Sequence, residues 1–199
     1  MTRKPAKSSV PIDALLARRF TTHAFAAEEP VPAADRLALL EAARWAPSHE
    51  NLEPWRFVVC DRFGQPDAWQ KAFDALSRSE RPWAYNASLM ILCAADLENV
   101  APALQPRALF DTGGAALQLC LEATARDLAT HITSGFDESR LRAGFGIPEQ
   151  AALVALVCVG TPADLGTLGR DVQRRELTPR ARSPLGSRCF EARWGRALR

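Results

Sequence analysis

Three short strings concentrate the side chains able to do chemistry. In Arg-Arg-Phe-Thr-Thr-His-Ala-Phe, residues 18–25, Arg19, Thr21 and His23 stand at alternate positions just beyond an expected helix. In an extended backbone alternate side chains share a side. A guanidinium, a hydroxyl and an imidazole would then face one oxyanion, and a phosphate suits that set. The bland alternative is a basic helix end, where Arg18 and Arg19 only complement the negative pole of the helix. In Ala-Pro-Ser-His-Glu-Asn-Leu-Glu-Pro-Trp, residues 46–55, Ser48, His49, Glu50, Asn51 and Glu53 crowd a loop that runs into a strand. Such a loop on a rigid scaffold suits ligand binding; it would equally serve as a surface turn with Trp55 packed inside. In Thr-His-Ile-Thr-Ser-Gly-Phe-Asp, residues 130–137, Ser134 and Gly135 are small enough for a ligand edge to approach backbone N–H groups. An ordinary strand-to-helix turn capped by Asp137 competes with that reading.

Other chemistries are excluded. Asp-Thr-Gly at 111–113 occurs once and continues as a helix, whereas an aspartic protease needs paired carboxylates in a strand-turn setting. No Gly-x-Gly-x-x-Gly or P-loop string follows any strand, so an anion site must use side chains. His23, His49 and His131 are not at ligand spacing, and the five cysteines form no Cys-x-x-Cys pair, so neither a metal site nor a disulfide framework is expected. The balance of 25 basic and 23 acidic side chains gives no field that calls for nucleic acid or a membrane surface. Only the stretch from Arg170 onward is markedly basic, which suits either a local anion site or solubility. No apolar run approaches the roughly 20 residues of a membrane span, and the polar start lacks the apolar core of a signal peptide. A cytoplasmic location is expected.

The elements that must position these strings follow from periodicity. The chain of 199 residues suits one domain. Residues 1–10 are expected as a flexible tail, 11–199 as a single domain, with an arm from about residue 165. A short helix begins near Pro11 and ends at Arg18 and Arg19, and a second covers Ala33 to Trp45 with Leu37, Leu40 and Ala43 as its stripe. Residues 56–61 form a buried strand, 66–78 an amphipathic helix and 88–96 a second strand. Asp111 to Asp127 is expected as a long buried helix with Leu117, Leu121 and Thr124 on one face and Cys120 nearby. A short strand around His131, a helix capped by Asp137 and a convincing strand over 152–162 complete the set. After Pro162 no periodicity is defensible, so the tail is expected either to wrap a partner or to be partly disordered.

Taken in order, the three strings resemble the nitroreductase family. The first is similar to its Arg-x-Ser-x-Lys/Arg-x-Phe element, and residues 46–59 to its Ala-Pro-Ser-Ser-x-Asn-x-Gln-Pro-Trp-x-Phe element. Residues 110–148 resemble the long helix, strand and Gly-Phe-Asp turn that follow, and 152–164 the strand closing the core. The resemblance implies an α+β fold, a mainly antiparallel sheet sandwiched by helices, with a C-terminal arm exchanged in a homodimer. It implies FMN as cofactor and NADH or NADPH as donor for two-electron reduction of a small nitroaromatic or quinone acceptor. Arg19, Thr21 and His23, with Arg18 grouped beside them, would hold the FMN phosphate and ribityl end, and Arg174 would be a late basic phosphate ligand. Pro47, Ser48, His49 and Asn51 would cover the flavin from the other subunit, and Ser134 and Gly135 would offer backbone N–H groups to its N5 edge. No protein acid or base is assigned, since the cofactor carries the chemistry. His23 replaces the usual Lys or Arg, His49 a Ser and Glu53 a Gln, so the phosphate contact would depend on pH. Rival readings are a flavin-degrading or dehalogenating enzyme on the same scaffold, or a dimeric module without turnover.

Overall fold

The computed structural model describes residues 4–198. Residues 1–3 of the expected N-terminal tail, and Arg199, lie outside them. From residue 4 the chain is tied down, with Ala6 N–H donating to Ala17 O at 2.9 Å and Lys4 Nζ to Arg175 O at 2.9 Å.

Four strands form one antiparallel sheet in the order β1-β2-β4-β3. They are β1 (Trp55–Asp61), β2 (Leu89–Asp96), β3 (Ala129–Thr133) and β4 (Ala151–Gly160). Leu92 of β2 faces Val58 of β1 on one side and Leu156 of β4 on the other. The central strands read as unbroken apolar runs because both of their faces are covered. On one face Leu89, Ile91, Cys93, Val157 and Val159 pack against Leu39 and Ala43 of α2 (Ala33–Arg44) and Leu119 and Ala123 of α5 (Gln105–Ala125). On the other, Met90, Leu156 and Cys158 meet Trp69 of α3 (Pro66–Ala75) and Trp83 of α4 (Arg81–Ala84). The period of two along the strands sorts these residues between the layers.

Two helical stripes differ from expectation. In α2 the buried residues are Leu39 and Ala43, while Leu37 is 65% exposed. Helix α5 starts six residues before Asp111, with Pro106 in its first turn, where a missing N–H costs nothing. Its buried stripe runs through Ala108, Thr112, Ala115, Ala116, Leu119 and Ala123 rather than Leu117, because alanines let α2 approach closely. The four buried cysteines behave as core side chains. Burial pushes the Cys60 thiol up to about 12 and the Cys120 thiol to about 11.

Helix α6 (Glu138–Phe145) begins where Asp137 accepts a hydrogen bond from Arg140 N at 3.1 Å, and ends at Gly146 with φ of +63°, a conformation that favours glycine. Asp137→Ala is expected to cost about 1 kcal/mol by exposing the unpaired first-turn donors; thermal unfolding showing no loss would remove the cap from the account. Beyond β4 the chain is more ordered than its composition suggests. Helix α7 (Arg170–Leu177) forms there, although it is too short and polar for a strong periodic signal. It and a short α1 (Ala14–Arg18) flank the segment that carries Arg19, Thr21 and His23. No helix among the described residues is long and apolar enough to cross a membrane.

Candidate functional site

The segment after α1 runs beside the free edge of β3. Thr21 bridges Thr130 in parallel, Thr22 N–H donates to Thr130 O at 3.2 Å, and His131 Nδ1 lies 2.6 Å from Thr22 O. Extended backbone turns Thr22 and Ala24 inward and leaves Arg19, Thr21 and His23 half-buried, the alternation expected for this string. Helix α7 locks the segment from outside. The carboxylate of Glu176, fully buried, accepts from Thr22 Oγ1 and from His23 N–H, each at 2.8 Å. The two donors take the place of water for this buried side chain.

The His23 ring turns inward. It meets His131 edge-on at 4.8 Å between centroids, while His131 stacks on Trp83 at 3.7 Å. Nδ1 of His23 is buried with no hydrogen-bond partner and sits 3.9 Å from Glu176 Oε1. Burial lowers the His23 pKa, helped by His131 and Arg175 and opposed by Glu176. Burial also lowers that of His131, against the Thr22 carbonyl. In the protein free of anions, burial thus favours the neutral form of both rings. Both histidines bind fewer protons when folded than when unfolded, so their contribution is present above about pH 6.5 and is lost as pH falls through the lowered values. The melting temperature of the ligand-free protein is expected to drop between pH 7 and pH 5. His131→Phe, which keeps an aromatic face for Trp83, should flatten that drop; an unchanged slope would exclude His131 from it.

The arginines divide their roles. Arg18 Nη2 donates to Thr124 O at 2.6 Å, and Nη1 lies 3.8 Å from Asp127, so Arg18 closes the C-terminus of α5 and is drawn away from the phosphate set in which the sequence grouped it. Arg174 is 82% exposed and 3.3 Å from Asp171. The arm instead brings Arg180 to the segment, its guanidinium donating to Arg19 O and Ala17 O while its Nε is buried without a partner. Arg19, Arg180 and Arg182 share a cavity of about 570 Å3 with Lys7, Ser8, Ser9 and Ser183, and no carboxylate among the described residues lines it. Sequence reasoning missed Arg180 and Arg182. Their alternate spacing in Pro-Arg-Ala-Arg-Ser repeats that of Arg19 and Thr21, but one arginine-rich tail offers many such pairs.

Ser134 is exposed just past β3, and Gly135 is half-buried. Gly135 N–H donates to Thr133 Oγ1 at 2.9 Å and its carbonyl accepts from Ser77 N–H at 2.8 Å, so this donor is engaged within the turn. A Cβ on Gly135 would come within 2.8 Å of Glu80 Cγ, so a larger residue here would force the Glu80 side chain to move.

The loop of Pro47, Ser48, His49 and Asn51 lies elsewhere. It precedes β1, whose ladder partner among the described residues is β2 alone, whereas Thr21 lies beside β3 and Ser134 just past its end, at the opposite edge of the sheet. His49 N–H donates to Asp111 at 2.9 Å, Glu53 N–H to Ser48 Oγ at 3.1 Å, and Arg107 Nη1 is 2.9 Å from His49 Nε2. Glu50, Asn51 and Glu53 have φ of +50°, +56° and +44°, a strained backbone held by these bonds. A cavity of about 470 Å3 opens beside the loop, and Trp45 and Phe110 are 71% and 81% exposed in the same region of α2 and α5. One chain thus brings Arg19, Thr21, His23 and Ser134 to one edge and leaves Pro47, Ser48, His49 and Asn51 at the other.

Comparison with known proteins gives this geometry relatives. The sequence profile of the nitroreductase family matches residues 16–161. An uncharacterised 15.4 kDa protein of Mycolicibacterium smegmatis is 35% identical over 148 residues, 72% of this chain and 99% of that one. An NADH dehydrogenase of Thermus thermophilus is 30% identical over 171 residues, 70% of this chain and 81% of its own. Among solved structures, an oxidoreductase containing FMN superposes with a TM-score of 0.85 at 28% identity, covering 98% of each chain. A putative nitroreductase from Desulfovibrio desulfuricans, in complex with FMN, shares the fold with a TM-score of 0.73 at 21% identity, covering 92% of this chain and 99% of that one.

Proposed function

Since this chain belongs to the nitroreductase family of oxidoreductases, we propose that it is an FMN-dependent enzyme that uses NADH or NADPH to reduce a small nitroaromatic or quinone acceptor by two electrons, working as a homodimer. The observation that carries the cofactor is the acid-free cavity where Arg19, Arg180 and Arg182 converge and where Arg180 Nε is buried without a partner. A cluster of guanidinium groups with no carboxylate to neutralise it suits a phosphate monoester. The FMN of the similar oxidoreductase and the name of the Thermus relative support cofactor and donor.

In this reading Arg19 and Arg180 hold the phosphate, with Thr21 beside them, and His23 joins only after its ring takes up a proton. Bound there, FMN would supply the two-electron chemistry between nicotinamide and acceptor. The chain's task is to bind and orient, and no side chain need act as acid or base. Ser134 offers the end of β3 to the ring edge, while the engaged N–H of Gly135 would have to leave Thr133 to contribute. The homodimer rests on the separation of the two site halves, because a loop at the β1 edge can cover a ring at the β3 edge only in another copy.

The test is spectroscopic and hydrodynamic. Purified protein supplied with FMN should show the bands of bound oxidised flavin, bleach anaerobically with NADH or NADPH, and recover its colour with p-benzoquinone. It should sediment as a dimer. A protein that takes up no flavin on titration would overturn the proposal, and bound flavin that no nicotinamide bleaches would leave a binding module without turnover.

A further inference from the structure

The cavity beside the Pro47–Asn51 loop contains a cationic side chain, Arg107, that helps to hold the loop through His49 and is not among the proposed cofactor contacts. Arg107 and Phe110, three residues apart, share one face of α5 and both are exposed. Arg107 Nη1 lies 2.9 Å from His49 Nε2. The one buried acid lining the cavity, Asp111, accepts from the backbone N–H of His49 at 2.9 Å. Glu50, 3.9 Å from His49 Nε2, is 75% exposed, and no carboxylate forms an ion pair with Arg107 among the described residues. Pro47 and Pro106 complete an otherwise apolar wall. A volume of about 470 Å3 suits a single substituted ring.

We propose that this cavity is the acceptor subsite and that it selects planar acceptors bearing a carboxylate, with Arg107 pairing the carboxylate and Phe110 stacking on the ring. The inference rests on the oxidoreductase reading and deepens it, since the cavity adjoins a cofactor only when the loop covers the other copy's site. An exposed guanidinium forms charge-assisted bonds that a neutral substituent cannot replace. An aromatic ring next to it adds area without a polar penalty.

The experiment uses full-length protein supplied with FMN. Calorimetry compares benzoate with benzyl alcohol, neither of which is reduced, and kinetics compare 4-nitrobenzoate with 4-nitrobenzyl alcohol. Wild type is expected to bind benzoate about tenfold more tightly than the alcohol. Arg107→Gln should bring the two within about threefold, Arg107→Lys should restore part of the gap, and the kcat/KM ratio of the nitro compounds should follow. Equal binding by wild type, or a gap that survives Arg107→Gln, overturns the inference. So does an effect of Arg107→Gln confined to the KM for NADPH, which would assign the arginine to a dinucleotide phosphate. Absence of flavin-linked reduction of both nitro compounds counts against the oxidoreductase reading instead, while the benzoate measurement still decides the role of Arg107.

Discussion

Glu176→Ala is expected to lower the unfolding free energy by about 3 kcal/mol, the order found when a buried charge network loses its acceptor. In a chain of 199 residues that corresponds to a fall in melting temperature of about 6–12 °C. The carboxylate is fully buried and accepts from Thr22 Oγ1 and His23 N–H, and the hydroxyl of Thr22 in turn accepts from Ala24 N–H at 3.0 Å. Removing it strands donors on a segment that Arg180 must also grip. Glu176→Gln, which keeps the shape and one acceptor oxygen, should cost less than half as much. A double-mutant cycle with Thr22→Val measures the coupling, which should exceed about 0.5 kcal/mol. A shift below about 2 °C for Glu176→Ala would mean that α7 is not what fixes the segment.

That network marks where the sequence was legible and where it was not. The strands were readable because β2 and β4 are continuous apolar runs, and Asp137 announced its helix by position. Helix α5 was harder. Its first two turns contain Pro106, Arg107 and an outward Phe110, and its buried stripe is mostly alanine, with Leu119 as its one large aliphatic residue, so periodicity gives a weak signal. The alternate burial of Thr21, Thr22, His23 and Ala24 was legible because alternation is a local property. The inward turn of His23 was not, since it depends on Trp83 and His131, which lie 60 and 108 residues further on and reach it only through the sheet. That Arg180 grips the segment after α1 while Arg174 stays exposed was likewise illegible. Both lie in a basic tail, and only packing against α1 tells them apart.

Arg19→Ala is expected to weaken FMN binding by about one to two powers of ten, the loss of a charge-assisted contact of roughly 1.5–3 kcal/mol. Arg19 lines a cavity with Arg180 and Arg182 in which no carboxylate is found among the described residues, so a phosphate there would meet several guanidinium groups. Arg174→Ala should change affinity less than about threefold, because its side chain is 82% exposed and already near Asp171. Arg180→Ala confounds binding with folding, since it also releases the carbonyls of Ala17 and Arg19; Arg180→Lys keeps the charge and separates the two. The His23 ring adds a pH signature. Its pKa is lowered in the free protein, and a phosphate dianion would raise it. Binding then takes up a proton in the window between the two values, so affinity falls as pH rises through it. This is opposite in sign to the stability of the free protein, which rises with pH. His23→Gln should remove the slope of affinity, whereas Arg19→Ala should lower affinity at every pH. Titration of FMN from pH 5.5 to 8.5 decides the matter: if Arg174→Ala costs more than Arg19→Ala, the phosphate lies at α7 and not between α1 and the arm.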